Sequence, residues 1–400
     1  MRICLVYQGE YPDSERIEKT AKTLTAAGHE IFLLCNDYGK FPLREEQVGP
    51  VHVIRLGPAI ASRKWNRALK FPAFINPIWI AGLISVVRRH RIEALQIIDV
   101  PLSAAVLAVG RLFGLPVVYD MWENYPEALR GWAKGNWRRT LLKNPDVARA
   151  TEKWVTARVD HIFTVVDEAR DRLIADGISS DKVSVVTNGV DMELFLRQEP
   201  DAAVSQLDPA AYKLLYAGAI TIERGLDDII RALPLLAGRV PRTILYIAGN
   251  GSDEDRLRKL VVELKLEQQV CFMGWVPFRQ IHAYISQSDL CLVPHVYNDF
   301  INTTIPNKLF QYMAMSKPVL VSNAKPLARI VRQGQCGFVF ESGNPADAAD
   351  RIAEAYQARA DQSIGRRGQR CAEDNYTWER VSGELARVYG ELARGAARNS

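Results

Sequence analysis

A chain of 400 residues with 48% hydrophobic and 24% charged side chains holds enough apolar material for two cores, which excludes a disordered or low-complexity protein. The net charge of +5 is too small to indicate nucleic acid as a partner, and no nucleic-acid fold motif accompanies it. The opening residues, MRICLVYQGEYPDSER, run into a strand and then meet acidic side chains, which does not fit a secretory leader. Six cysteines are scattered without a C-x-x-C pair or metal-ligand spacing, so buried reduced thiols, no metal and a cytoplasmic setting are expected.

Strands and helices alternate from the start. Residues 2–7 read as a strand, 14–27 as a helix stopped by Gly28, 30–35 and 51–56 as strands, and 77–90 as a helix. The pattern continues with a strand at 94–98 ending at Asp99, a helix at 102–113, and a strand at 116–119 whose end carries DMWENYPE. A helix at 146–158, strand HIFTVV, a helix at 168–176 and strand KVSVVT follow. Such alternation predicts a parallel, doubly wound sheet. The stretch NGVD at 188–191 breaks it, and a polar segment to about 211 is the expected linker. The alternation then restarts. Strands are predicted at 213–217, 243–248 and 269–275, with helices at 226–236, 253–264 and 277–286.

The most informative stretch follows, VPHVYNDFINTTIPNKLFQYMAMSKPVLVSN at 293–323. A buried strand, DLCLVP, ends in a polar loop, and Pro306 opens a helix at 307–315. In open α/β sheets ligands bind where a strand end feeds a helix, and the helix N-terminus favours anions. Lys308 lies in that first turn, where a cation is unfavourable for the helix alone, so an anion shared by both is expected, with Asn302, Thr303, Thr304 and Asn307 around it. Two further glycine loops end strands and precede helices, at 218–225 and 249–253. The first carries Arg224, and together with Lys308 it would hold a diphosphate through charge-assisted hydrogen bonds.

Charge is unevenly spread. Between Glu46 and Glu93 there are eight basic residues and no acidic one, and five more lie between Glu127 and Asp146. Trp65, Trp79, Trp122, Trp132 and Trp137 fall in or near these stretches. Basic residues interleaved with aromatics suit an anionic membrane surface. The uncharged run at 71–87 is shorter than the ~20 residues needed to span a bilayer, so a helix packed on the sheet or dipping into the interface is expected.

In this order, YPDSERIEKTAKTLTAAGHEIFLLC, VVYDMWENYPE, KVSVVTNGVDMELF, YAGAITIERGLDDIIRAL, IAGNGSDEDRL, FMGWVP and IPNKLFQYMAMSKPVLVSN make the chain resemble glycosyltransferase family 4, the retaining nucleotide-sugar enzymes of the GT-B fold. The resemblance implies two Rossmann-like domains facing a cleft. The first would span 1–190, the second 191–375, and a final helix at about 376–400 would return to the first. It implies a nucleoside diphosphate sugar as donor substrate, no cofactor and no metal. It also implies diphosphate contacts from Arg224, with donor contacts from Gly9, Gly218, Asn250, Gly251, Trp275 and Val276. Residue chemistry adds Lys308 and Glu123 to Arg224 as catalytic candidates, and His295, Thr303, Thr304 and Gln311 as donor contacts.

The departures are specific. Two glutamates common in the family are Thr303 and Gln311 here, an arginine of the diphosphate loop is Ala219, and a histidine of the first domain is Trp122 beside Glu123. Gln311 still donates and accepts hydrogen bonds but brings no charge. The resulting expectation is sugar transfer to a lipid-linked glycan acceptor at the cytosolic membrane face, in surface polysaccharide synthesis. The competing expectations are an inert GT-B protein that binds a nucleotide sugar or a partner transferase, and a nucleotide-sugar epimerase.

Overall fold

The structure is a computed structural model that describes residues 1–12, 14–37, 41, 44–57, 75–133, 144–192, 195 and 206–399. The chain divides into two compact units, Met1–Thr187 with Ser382–Ser400, and Asn188–Val381.

The first unit is built on strands β1 (Arg2–Val6), β2 (Glu30–Asn36), β3 (Glu45–Val48), β4 (Val51–Leu56), β5 (Ala94–Ile98), β6 (Val117–Met121), β7 (His161–Thr164) and β8 (Val183–Val185). Their order across the sheet is β3-β4-β2-β1-β5-β6-β7-β8. Helices α1 (Glu15–Ala26), α2 (Pro77–His90), α3 (Ser103–Phe113), α4 (Tyr125–Ala133), α5 (Pro145–Thr156) and α6 (Asp167–Ala175) connect them. The central strands are apolar along their length, as in IFLLC of β2, because helices cover both faces of such a sheet. Trp79, Leu83, Val86 and Val87 turn one face of α2 into the core, so this helix packs on the sheet. Trp79→Ala would cost about 3–5 kcal/mol. Three of the described helices start at an Asn-Pro pair. At Asn76, Asn144 and Asn344 the side-chain carbonyl accepts a backbone N–H of the first turn, and the following proline occupies a position that needs no donor.

Two elements differ from the sequence reading. The sheet is not wholly parallel, because β3 pairs antiparallel with β4. Its sequence, EEQV, is polar because it is an edge strand, and charge there discourages pairing with other chains. Helix α4, opened by Tyr125 inside the DMWENYPE stretch, is not among the expected elements.

The second unit contains β9 (Tyr212–Ala217), β10 (Thr243–Ala248), β11 (Val270–Gly274), β12 (Leu290–Val293), β13 (Val319–Ser322) and β14 (Gly337–Phe340), all parallel, in the order β11-β10-β9-β12-β13-β14. Its helices are α7 (Leu226–Ala232), α8 (Glu254–Glu263), α9 (Phe278–Gln287), α10 (Asn307–Ala314), α11 (Lys325–Gly334), α12 (Pro345–Gln357), α13 (Ser363–Asn375) and the short α14 (Trp378–Val381). The expected helix at 226–236 is α-helical only to Ala232 and continues as a 3-10 turn, since Pro234 cannot supply the next backbone bond. Both sheets share one strand order around their first strand. The chain reverses direction across the sheet beside its first strand, between β1 and β5 in one unit and between β9 and β12 in the other.

The division falls at Thr187, earlier than residue 190. The NGVD turn belongs to the second unit, where Val190 N–H donates to Tyr376 O at 2.8 Å and Trp378 N–H to Val190 O at 2.9 Å. Trp378 therefore stays with the second unit, and only the C-terminal helix α15 (Gly383–Asn399) returns to the first. It is anchored by buried polar groups. Tyr389 donates to Gln96 Oε1 at 2.7 Å, Gln96 Nε2 donates to Asp120 Oδ2 at 3.2 Å, and Arg16 Nη2 meets Asp120 Oδ1 at 2.9 Å.

The basic stretches are only partly surface. Trp79 and Arg55 are buried, and Arg55 Nη2 sits 2.6 Å from Glu46. Arg89 pairs with Glu45, and Arg130 with Glu127 and Asp146. Residues 58–74 and 134–143, with Arg63, Lys64, Arg67, Lys70, Trp65 and Trp137, lie outside the described residues. Among the described residues no helix is long and apolar enough to cross a membrane. All six cysteines are free thiols, and four are buried, but Cys271 on edge strand β11 is exposed.

Candidate functional site

In the second unit the reversal point lies between the ends of β9 and β12, where an open α/β sheet binds ligands. Three loops meet there with their backbones in contact. A Cβ on Gly225 would lie 2.0 Å from Pro294 O, one on Gly249 2.0 Å from Gly218 O, and one on Gly251 2.1 Å from Ile220 O. Gly218 and Gly249 also have φ of 135° and 149°, which glycine alone adopts without strain. The loops are hydrogen-bonded to one another. Gly218 N–H donates to Ala248 O, Ile220 N–H to Asn250 O, Gly249 N–H to Gly274 O and Val296 N–H to Glu223 O. Several amides expected to face a ligand are therefore spent in fixing the platform.

Arg224, in the 3-10 turn Ile222–Arg224, reaches across to His295, with Nη1 3.4 Å from both ring nitrogens. His295 follows the end of β12 and is fully buried. Lys308, in the first turn of α10, places Nζ 3.8 Å from the centroid of the Tyr216 ring. The same Nζ is 2.6 Å from where a Cβ on Gly218 would stand, so the glycine leaves the space that the ammonium uses. Burial first, and then Arg224, hold the Lys308 amine well below the usual lysine range. Burial, Arg224 and Lys308 likewise push His295 well below the usual imidazole range, so it is neutral near pH 7. Among the described residues neither Arg224 nor Lys308 forms an ion pair with a carboxylate. Two crowded basic groups without a counter-charge are the signature of a place that an anion completes.

The other expected donor contacts surround this group unevenly. Thr303 donates its hydroxyl to Asp299 O at 2.8 Å and lies within 3.1 Å of Phe300 O, so it caps its own turn and does not replace a carboxylate. Thr304 is extended and half-buried in the loop before α10. Gln311 is half-buried, one helical turn beyond Lys308. Asn250 and Gly251 are exposed at the tip of the loop after β10. Trp275 is 70% exposed after β11, with Val276 half-buried beside it. Ala219 is exposed, and its carbonyl accepts from Tyr216 Oη at 2.6 Å.

Gly9 and Glu123 belong to the first unit. A Cβ on Gly9 would lie 2.5 Å from the Tyr7 ring, so glycine lets that ring fold over the loop after β1. Glu123 follows β6, next to Trp122. Trp122 takes the place of a titratable histidine and is locked by its own contacts, with Nε1 donating to Asp120 Oδ2 at 2.8 Å and the ring 5.9 Å from that of Tyr7. The sequence reading missed Asp99. It ends β5 at the reversal point of this sheet, has a φ of 56°, and accepts the Trp122 N–H at 3.0 Å. Burial, reinforced by Glu123, raises its carboxyl well above the usual range. The available signal was its position, a carboxylate at a strand end beside β1.

Residues 14–189 match the glycosyl transferase 4-like domain, and residues 198–371 match the glycosyl transferases group 1 family. This chain is a family 4 glycosyltransferase. Its two Rossmann-like units are those of the GT-B fold. The glycosyltransferase is 25% identical to glycogen synthase of Mycobacterium tuberculosis, over 99% of this chain and 96% of that protein. Its fold is shared with sucrose-phosphate synthase from Thermosynechococcus elongatus, at a TM-score of 0.77 and 16% identity over 99% of this chain and all of the other. It is also shared with Anabaena HepE in complex with UDP-glucose, at a TM-score of 0.67 and 14% identity over 98% of this chain and all of the other.

Proposed function

We propose that this glycosyltransferase moves a sugar with retention from a nucleoside diphosphate donor to a glycan acceptor carried on lipid, in surface polysaccharide synthesis. The carrying observation is the group formed by Arg224, Lys308 and His295 at the reversal point of the second sheet, a guanidinium, an amine whose proton is weakly held without an anion, and a neutral imidazole. A nucleoside diphosphate leaving group supplies the missing negative charge. In transfer, the bond from the anomeric carbon to the diphosphate oxygen breaks, the acceptor oxygen bonds to that carbon, and the acceptor proton passes to the departing diphosphate oxygen. Charge builds on the diphosphate, where Arg224 and Lys308 stabilise it, so the site supplies with side chains what a divalent cation supplies elsewhere. Thr303 and Gln311 leave the sugar pocket without carboxylates, which reshapes recognition while sparing the leaving-group chemistry. Asp99 and Glu123 are the acceptor-side groups of the first unit.

The membrane part rests on Arg63, Lys64, Arg67 and Lys70 in the sequence and on one described surface. Trp154 is 39% exposed, with the guanidinium carbons of Arg158 and Arg111 5.1 and 5.8 Å from its ring centroid. Leu112 and Val147 are exposed on the same two helices, α3 and α5.

The test is a thermal-shift screen of UDP-, GDP-, dTDP- and ADP-sugars on the wild type and on Arg224→Ala/Lys308→Ala. One nucleotide class should raise the wild-type Tm and leave the variant unmoved. Equal shifts in both proteins would remove the donor site from this position. Turnover of the nucleotide sugar without any acceptor would favour epimerisation.

A further inference from the structure

Away from the strand ends that carry the site, the first unit brings together three side chains that no sequence motif links. Glu45 lies on edge strand β3, His52 on β4, and His90 closes α2. The register explains the meeting. Gln47 stands opposite His52 in the antiparallel pair, so Glu45, two residues away, shares its face diagonally. Phe32 stands opposite His52 on the other side, and α2 covers that face, with the His90 ring 5.0 Å and the His52 ring 5.2 Å from that of Phe32.

The nitrogens are oriented toward one carboxylate. His52 Nε2 is 3.9 Å from Glu45 Oε2, and His90 Nε2 is 4.0 Å from Glu45 Oε1. Both distances are too long for hydrogen bonds. Both Nε2 atoms are nevertheless buried and have no hydrogen-bond partner. One ligand atom from each residue lies within 4.8 Å of the other two. The Oε1 atom of Glu45 also accepts from Arg89 Nη1 at 2.9 Å, from a side chain that is 68% exposed.

We propose that Glu45, His52 and His90 form a structural binding site for a zinc-class divalent metal ion. Zinc holds imidazole nitrogen and carboxylate oxygen at roughly 2.0–2.2 Å, which places ligand atoms of one ion about 3–3.5 Å apart. Closing the observed spacing to that value takes side-chain movement of about an ångström. Two nitrogens and one oxygen suit zinc, whereas magnesium and calcium take oxygen ligands almost entirely. The fourth position goes to water. The ion would tie the polar edge strand to the end of α2, at the strand-start side of the sheet. It takes no part in sugar transfer.

The experiment uses the full chain without a histidine tag, stripped with chelator and then titrated with Co2+ and Zn2+. The expected result is one Co2+ per chain with the intense visible absorption of a tetrahedral N/O site, displaced by Zn2+, together with a Zn2+-dependent rise in Tm. Glu45→Gln, His52→Gln and His90→Gln should each abolish both signals. Arg89→Ala, which removes the competing cation, should retain or strengthen them. Should a histidine variant fail to fold, Glu45→Gln on the edge strand carries the test alone. Absence of Co2+ absorption in the wild type, equal binding in Glu45→Gln, or a response to Mg2+ or Ca2+ in place of Zn2+ would each overturn the proposal.

Discussion

The two units of this glycosyltransferase reverse their sheets at the same point, yet they fill that point with opposite kinds of group, basic in one and acidic in the other. In the second unit it holds Arg224, Lys308 and His295. In the first it holds Asp99 with Glu123 beside it. A shared topology fixes where chemistry sits but not its sign. The side chains just past the strand ends decide that, and in the proposed function they would divide the labour between an anionic leaving group and a neutral hydroxyl acceptor.

The comparison breaks most visibly if the cations are removed. Arg224→Ala/Lys308→Ala should lower kcat/KM for transfer by roughly 10³-fold or more and abolish the nucleotide thermal shift. Asp99→Asn or Glu123→Gln should leave that shift intact and reduce kcat by about 10²-fold, if these carboxyls orient or deprotonate the acceptor. A loss of nucleotide binding in either variant would erase the distinction between the units. Gly249→Ala tests whether the cation platform is rigid. Its Cβ would enter the Gly218 carbonyl at a φ of 149°, so about 2–3 kcal/mol of stability should be lost, measured by urea denaturation.

Proton uptake sharpens the comparison further. Without an anion the Lys308 amine is held well below the usual lysine range, and His295 well below the usual histidine range. A bound diphosphate favours their charged forms and raises both, so binding takes up protons. Affinity should fall by up to about tenfold per pH unit as pH rises above the depressed Lys308 value. Calorimetry in buffers of different ionisation enthalpy measures the uptake directly. At Lys308 and His295 of the free protein the unfolded chain is the better proton acceptor. These two groups should therefore make stability rise with pH up to the ordinary histidine and lysine ranges and fall on acidification through them, while Asp99, with its raised carboxyl, acts in the opposite sense. The smallest effect belongs to the membrane. Neutralising Arg63, Lys64, Arg67 and Lys70 should reduce flotation with anionic liposomes and leave nucleotide binding unchanged.

The fold was legible because buried parallel strands are nearly continuous apolar runs, such as IFLLC and LCLV, separated by glycine and proline. Strand β3 was not, since an edge strand shielded by charge has no apolar run to read. Arg224 and Lys308 could be picked out because each sits in a strand-to-helix loop. His295 could be named from its place after a strand end, but not its pairing with Arg224, which is distant in sequence and meets it only when β9 and β12 pair. Asp99 was read as the end of a strand. Its left-handed backbone and its electrostatic repulsion with Glu123 arise from where β5 and β6 stop, which periodicity does not encode.

The return of α15 to the first unit also sets an order of events in the cell. Tyr389 seals a buried chain of hydrogen bonds through Gln96 to Asp120, and the ribosome adds that tyrosine only after the whole second unit has been synthesised. Until then Gln96 lacks its closing donor, so the half made earlier waits on the half made later. Nascent chains that stall before residue 382 would expose an incomplete first unit to chaperones and proteases, even with every strand of both sheets already synthesised.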